Sequence, residues 1–434
     1  MPKKKFNKKK EMKYSRSIKK PSLDQPKRSS GRKNIQLLKG MKDILPADQG
    51  YWSYLQKEAE KLAGFYGYGR ISTPVLEMTE LFRRGVGNIT DIVEKEMYSF
   101  TDLSGDSVTL RPEGTVGVAR AYMEHGMMNQ PQPIKFYYWE PMFRHENPQT
   151  GRYRQHYQFG FEVIGEENPA VDAEIIYLTT LFYKEIGIET NVQINSIGCP
   201  ECRAEYKKNL IAYYRRKKKQ ICKDCQKRLL KNPMRLLDCK EEGCQEVKEE
   251  APQIVDWLCE NCKKHFMKVL EYLDNLEVPY NLNHSLVRGL DYYTRTVFEI
   301  MSVAKEDDDS DRRQKSLCGG GRYDGLMELI GGRPTPGCGV GIGIERAILE
   351  MRKQGIEPQV PKAPQIFLAQ IGEQAKQKAF HLLESFRKEK MPIYQMLAKD
   401  SLKGQLEIAD KLGVKYVLIL GQKEVLEGTV LLRD

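Results

Sequence analysis

The sequence predicts an α+β protein: an antiparallel sheet core flanked by helices, a helical insertion within it, and a small α/β domain at the C-terminal end. Three observations carry this. The runs "KFYYWEPMFRHE" and "YRQHYQFGFE" alternate apolar and polar residues on either side of "NPQTG", a turn-forming stretch, and so read as a hairpin. Residues from about 198 to 265 change to a lysine- and cysteine-rich, largely helical composition. From about Ala363, short apolar strands ("QIFLAQIG", "KYVLILGQ") alternate with helical stretches ("EQAKQKAFHLLESFRKE", "SLKGQLEIADKLG"), the pattern of a small α/β unit.

In chain order, residues 1–34 are a basic tail expected to be disordered. "DQGYWSYLQKEAEKLAGFYGYG" reads as a helix burying Tyr51 or Trp52, Leu55, Ala59, Leu62 and Ala63. "RISTPVLEMTELF", with Pro74, reads as extended. "EMYSFTDLSGDSVTLR" is a second hairpin turning at Ser104-Gly105-Asp106, followed by "RPEGT" and a helix through "VGVARAYMEHGM". After the first hairpin, "NPAVDAEIIYLTTLFYKEIGI" is helical. "HSLVRGLDYYTRTVFEIMS" has strand-like alternation; an acidic loop, "KEDDDSDRRQ", separates it from "LCGGGRYDGL" and "GCGVGIGIERAILEM". "RKQGIEPQVPKAP" reads as a linker. The expected division is tail 1–34, main domain 35–197 with 266–352, insertion 198–265 and terminal domain 363–434.

With 434 residues, 40% of them hydrophobic, the chain is long enough for a large core in two or three domains. No apolar run is long enough to cross a membrane, and the amino terminus lacks the apolar stretch of a signal peptide. Lysine dominates over arginine in the tail, against a mitochondrial transit peptide. Ten cysteines without a secretory signal point to a reducing compartment. The net charge of +11 is local: residues 1–34 hold fourteen Lys and Arg against Glu11 and Asp24, leaving 56 basic and 57 acidic residues elsewhere. The tail is thus either a solvated segment or a non-specific polyanion tether, and overall charge alone does not establish RNA binding.

Three patterns carry chemistry. Within the hairpin, Tyr153, Tyr157, Phe159, Phe161 and Val163 share one strand face, while Arg154, His156, Gln158 and Glu162 share the other with Gly160. Gly160 leaves a gap between Gln158 and Glu162. An ordinary solvent-facing sheet gives similar alternation. In "GVGIGIER", Gly339, Gly341 and Gly343 strip one strand face of side chains, so a flat ligand or another backbone can lie against it. Arg346 opens the next helix, where a guanidinium binds phosphate or stacks on a base. Eight cysteines fall between 199 and 262; Cys199-x2-Cys202-x19-Cys222-x2-Cys225 has the spacing of a structural zinc site, and eight thiolates suffice for two. Cys318 and Cys338 read as packing residues.

The order "TPVLE", "TLRPEGT", "FRHE…GRYRQ…QFGFE", "LVRGLDYYT", "GGGRYDGL", "GIGIER" resembles histidyl-tRNA synthetases, a class II aminoacyl-tRNA synthetase family, over roughly residues 36–434. The resemblance implies activation of L-histidine by ATP to histidyl-adenylate and transfer of the histidyl group to the 3′ end of tRNA(His). It implies Arg144 at the α-phosphate and the amino-acid carboxylate, Arg288 beside the α-phosphate and Arg346 at the γ-phosphate, with Gly341 and Gly343 against ATP and magnesium on the β- and γ-phosphates. Glu113, Thr115 and Gln158 match acceptors for the α-ammonium; Glu162 and Tyr293, with Tyr292 nearby, match readers of the imidazole. Gln149 and Arg152 match positions near the tRNA acceptor end. The terminal segment resembles an anticodon-binding domain, though it stops at "EGTVLLRD", where relatives continue into a closing helix. A cytoplasmic homodimer paired around Pro74 is implied. The rival readings are the non-catalytic, synthetase-like regulatory subunit of ATP phosphoribosyltransferase, which typically loses motif residues retained here, and an RNA-binding protein suggested by the tail alone.

Overall fold

The computed structural model describes residues 34–303, 316–358 and 363–434, so most of the basic tail, the acidic loop and part of the linker lie outside the described residues. The chain divides into Met1–Lys39 and Gly40–Asp434. In the first unit, described residues 34–39 carry no helix or strand. The second unit contains every element that follows.

Its centre is an eight-stranded sheet in the order Gly69–Arg70, Ile134–Phe143, Gln155–Ile164, Gly337–Gly343, Ser316–Arg322, Thr294–Ser302, Thr190–Ser196 and Tyr280–Leu282. All inner pairings are antiparallel; only the short edge strands pair in parallel. The expected hairpin forms this core, with Ile134 opposite Ile164 and Phe143 opposite Gln155. Phe159, Phe161, Val163, Ile194, Phe298, Val340 and Ile342 join one buried cluster with residues of the helices Gln49–Phe65, Pro169–Glu185, Glu260–Asn275 and Ile344–Lys353. Burying one face of each strand leaves the other for polar residues. Leu55, Ala59, Leu62 and Ala63 are the buried residues of the first helix, as its period predicts. At the second hairpin, Tyr98–Thr101 pairs with Ser107–Leu110, and the Asp102 carboxylate accepts from the Ser104 and Asp106 amides at 2.9 Å.

Two segments depart from expectation. "RISTPVLEMTELF" is extended only through the strand Leu76–Met78; Thr79–Val86 is helical because Phe82 and Val86, one turn apart, enter the core. Likewise, strand structure after His284 begins only at Thr294. The Asn195 amide donates to the carbonyls of His284 and Leu286, and the Asp291 amide donates to Val86, so this backbone is satisfied outside any ladder.

The cysteine-rich insertion is helical as expected, with its longest helices at Pro200–Arg216 and Lys223–Lys231. It is not a separate lobe: Tyr206, Leu210, Ile221 and Leu236 share a buried cluster with Phe82, Val116, Tyr122 and Tyr292. The terminal domain has a four-stranded sheet in the order Tyr394–Gln395, Ile366–Gln370, Tyr416–Leu420, Leu431–Arg433. Its first three strands are parallel and the last antiparallel, with helices Glu373–Lys388 and Leu402–Leu412 between them in sequence. Among the described residues, no helix is long and apolar enough to cross a membrane.

Candidate active site

The polar face of the sheet lines a cleft of about 780 Å³. Segments far apart in sequence meet there: Glu113 and Thr115 from the start of helix Thr115–Glu124, Arg144 from the end of a central strand, Gln158 from its neighbour, Arg288, Tyr292 and Tyr293 from the irregular segment, and Gly341, Gly343 and Arg346 from the glycine strand and its helix. Arg152 also reaches the wall. Gln149 does not line it; this exposed residue sits in the hairpin turn, closed by backbone pairing with Arg152.

Each arginine is aimed by a specific partner. Arg144 Nε donates to the Pro112 carbonyl at 2.7 Å. Arg346 donates to the Ser316 carbonyl at 2.6 Å and to that of Gly151 at 3.4 Å, which ties the hairpin turn to the helix. Arg288 pairs with Glu299, lies over the Tyr293 ring, and has a buried Nε with no hydrogen-bond partner among the described residues. Gly319 makes its placement possible, because a Cβ there would lie 2.4 Å from both terminal guanidinium nitrogens. His156 also lines the cleft; burial, with Arg144 and Arg346 beside it, lowers its pKa to about 3 and keeps it uncharged at neutral pH. The imidazole therefore adds no positive charge to that of the arginines at neutral pH.

Carboxylates and tyrosines stand beside these arginines. Glu113 accepts from the Thr115 and Val116 amides at 2.9 and 2.8 Å and from the Tyr292 hydroxyl at 3.2 Å. Burial nevertheless raises its pKa. Tyr292 and Tyr293 stack at an angle, their centroids 4.6 Å apart. Glu162 is on the expected strand face but one layer deeper than Gln158: it is 0% exposed and absent from the cleft wall. Its two oxygens accept from the hydroxyls of Thr115 at 2.6 Å and Tyr323 at 2.7 Å. Burial raises its pKa to about 8, against these hydroxyl bonds. The gap expected beside Gly160 is closed, since the Tyr138 ring takes the space a Cβ would occupy, with Cζ 2.2 Å from that position.

The glycine strand behaves as its pattern predicts on one side and adds a reason on the other. Gly341 and Gly343 face the cleft, whereas Gly339 is required by Glu162, whose Oε2 would lie 1.7 Å from an added Cβ. Sequence reading missed Tyr138, Tyr323, His156 and Glu299 as parts of this site. Alternation placed His156 on the right face but gave it no task, and nothing local marks Tyr138 as the cover of Gly160. The insertion, to which sequence reading gave no place in the site, contributes Arg235, Leu237, Asp238, Cys239 and Lys240 to the cleft wall. Arg203 from the same insertion donates to the Tyr293 carbonyl at 2.8 Å. The four cysteines of the expected zinc set do not converge: Cys199 and Cys202 lie with Cys259 and Cys262, and Cys222 and Cys225 with Cys239 and Cys244. The folded chain brings the ends of the insertion together, and linear spacing cannot show that.

An antiparallel sheet that gathers arginines from three separate segments around one cleft, with a small α/β domain after it, is the architecture of a class II aminoacyl-tRNA synthetase. The model of the histidyl-tRNA synthetase family matches residues 40–347, and that of an anticodon-binding domain matches residues 365–434. The chain is 48% identical to histidine–tRNA ligases of Acetivibrio thermocellus and Dehalococcoides mccartyi, covering 91% of this chain and 94% of each relative. Histidyl-tRNA synthetase of S. aureus, solved in its apo form, superposes with a TM-score of 0.73 at 37% identity over 92% of this chain and 97% of that one. A Bacillus halodurans protein described as an ATP phosphoribosyltransferase regulatory subunit/histidyl-tRNA synthetase shares the fold at 21% identity, with a TM-score of 0.62 over 90% of this chain and 99% of that one. The chain belongs to the histidyl-tRNA synthetase family.

Proposed function

We infer that this protein is a histidine–tRNA ligase, which activates L-histidine with ATP and passes the histidyl group to the 3′ end of tRNA(His). The carrying observation is the convergence of Arg144, Arg288 and Arg346 on one cleft, with the buried Arg288 Nε lacking a partner among the described residues. Attack of a carboxylate on the α-phosphate brings two anions together, and charge grows on the phosphate oxygens. Fixed guanidinium groups stabilise that charge without reorganising. Arg144 and Arg288 are assigned to the α-phosphate, Arg144 also to the amino-acid carboxylate, and Arg346 to the γ-phosphate. Gly341 and Gly343 leave the strand face open for the nucleotide. Glu146 and Glu299 on the wall offer oxygens of the kind magnesium takes; they would hold that ion, which would supply the remaining compensation of phosphate charge.

For histidine, Glu113, Thr115 and Gln158 are assigned to the ammonium. The Thr115 hydroxyl donates to Glu162, so its oxygen still has lone pairs to accept with. Tyr293 and Glu162 are assigned to the ring nitrogens, with Tyr292 shaping the pocket beside them. Glu162 lies behind the cleft wall, so a ring reaches it only when the covering side chains shift; a carboxylate has about four lone-pair sites, and the hydroxyl donors then leave capacity for an imidazole N–H. Gln149 and Arg152, at the hairpin turn, are assigned to the tRNA acceptor end, and the terminal domain to the anticodon. A homodimer is supported by the exposed Val75, Leu76, Met78 and Phe100 around Pro74. The cytoplasm is the fitting compartment for this reaction and for ten free thiols.

ATP–pyrophosphate exchange tests the reading. Exchange that depends on histidine is expected; a folded protein that binds ATP without supporting exchange would instead be a regulatory subunit of the kind whose fold it shares.

A further inference from the structure

The insertion contains eight thiols, and the fold sorts them into two groups of four. Cys199, Cys202, Cys259 and Cys262 form one group, and Cys222, Cys225, Cys239 and Cys244 the other; the four sulfur atoms of each group lie within 4.8 Å of one another. All are free cysteines, and five of the eight are buried. The measured separations are 3.5 Å for Cys199 to Cys202 and 3.9 Å for Cys222 to Cys239. Tetrahedral zinc with Zn–S bonds of about 2.3 Å requires sulfur atoms about 3.8 Å apart. Bonded disulfide sulfurs sit at about 2.0 Å, so the spacing fits a shared cation instead.

Backbone amides are directed at the sulfurs. The Cys259 amide points at Cys202 Sγ at 3.1 Å, the Cys222 amide at Cys244 Sγ at 3.2 Å, and the Cys225 amide at Cys222 Sγ at 3.4 Å. Donors of this kind stabilise thiolate charge and orient ligands around a metal. His265 is not a competing ligand, because its Nε2 faces the Asp172 carboxylate at 3.3 Å and its Nδ1 faces the Arg295 guanidinium at 3.5 Å. The surrounding architecture also calls for a staple. Much of the insertion consists of short helices, such as Pro233–Leu236, Glu242–Cys244, Gln245–Glu249 and Ile254–Trp257, which are too short to be stable in isolation.

We propose that the insertion holds two structural zinc ions, one in each four-cysteine group, with the outer pairs of cysteines sharing one ion and the inner pairs the other. The nesting assigns a separate task to each site. The outer ion clamps the neck of the insertion, joining the start of helix Pro200–Arg216 to the start of helix Glu260–Asn275. From that first helix, Arg203 reaches the Tyr293 carbonyl, so the clamp steadies the histidine side of the cleft. The inner ion holds Cys239, which lies in the cleft wall with Leu237, Asp238 and Lys240. Zinc suits both sites, since four thiolates complete its tetrahedron and leave no open position for chemistry.

Elemental analysis of the full-length protein, prepared without added metal, tests the proposal. Two zinc ions per chain are expected, falling to one in Cys262→Ser, to one in Cys225→Ser, and to none in the double variant. Should the variants fail to fold, titration of the wild type with a mercurial, read with a zinc-sensitive dye, replaces them: eight thiols should react as two zinc ions are released. Metal-free protein, iron in place of zinc, or four disulfides in the unreduced mass spectrum would overturn the proposal. So would a single zinc lost from both Cys202→Ser and Cys225→Ser but retained in Cys239→Ser and Cys259→Ser, which would restore the set suggested by linear spacing.

Discussion

At the scale of single residues, the proposed function divides the groups of the cleft into those that meet growing charge and those that fix a substrate. Arg288 belongs to the first kind. Its buried Nε has no partner among the described residues, and its pairing with Glu299 holds the guanidinium in place. Arg288→Ala should lower histidine-dependent exchange by ~100-fold or more, about 3 kcal/mol of transition-state stabilisation. Near-normal exchange in the folded variant would remove it from the chemistry. Glu162 belongs to the second kind. The positive charge of bound histidine favours its ionised form, and glutamine keeps the shape but not the charge. Glu162→Gln should therefore weaken histidine use by roughly 1.5–3 kcal/mol. Kinetics varying histidine and ATP separately decide this, because equal losses for both substrates would make Glu162 merely structural. This residue also shows the limit of sequence reading at this scale: alternation found the face on which Glu162 lies, but its depth depends on Tyr138, which arrives from the neighbouring strand.

At the scale of elements, two glycine-rich strands decide how closely the cleft can be built. In Ser316–Arg322, Gly319 makes room for Arg288 and Gly320 lies against the Gly339 carbonyl, where a Cβ would come within 2.3 Å. The consequences of replacing them differ. At Gly319 the obstacle is the mobile end of an arginine, which can move aside, whereas at Gly320 it is backbone. Gly319→Ala should thus fold with a melting temperature within a few degrees of wild type yet lose exchange activity by roughly 10–100-fold, through misplacement of Arg288. Loss of stability with full residual activity in the folded fraction would show that Arg288 tolerates the shift. The repeated glycines were legible as a stripped strand face. Which of them serve a ligand and which serve Glu162 or Arg288 was not, because the answer lies in neighbours distant in sequence.

At the scale of the whole molecule, buried carboxylates couple the fold to pH. Burial raises Glu162 to about 8 and Glu345 to about 7, both from 4.5. Between these values the folded chain holds protons that the unfolded chain has released. Their contribution to stability is therefore fully present below 4.5 and is lost as pH rises through the folded-state values. Asp172 acts at the other end. Burial opposes its charge, but the Arg322 ion pair holds it down to about 2, so its contribution is lost as pH falls from 3.8. His156, lowered from 6.5 to about 3, acts in the opposite direction over the same range, so the test is the difference between proteins: in urea unfolding at about pH 5 and about pH 8, Glu162→Gln should lose less stability than the wild type as pH rises. An unchanged slope in the variant would mean that Glu162 is already ionised in the folded protein.

By itself, the sequence determined the periodic elements and the order of the chemical motifs. The first helix, both hairpins, the glycine strand and the terminal α/β pattern are written in local spacing, since side-chain direction repeats with a period of 3.6 residues in a helix and two in a strand. The candidate arginines and the residues proposed for histidine were legible in a different way, through short motifs whose order resembles that of a known family. Tertiary structure alone decided what those motifs meet. It placed the irregular segment before Thr294 against Asn195 and Val86, set Glu162 beneath Tyr138, and folded the insertion into the cleft wall. It also exchanged the partners of the cysteines, joining Cys199 and Cys202 to Cys259 and Cys262. Linear spacing measures distance along the chain, but a metal ligand set, a buried carboxylate and a packed ring are fixed by distance through the core.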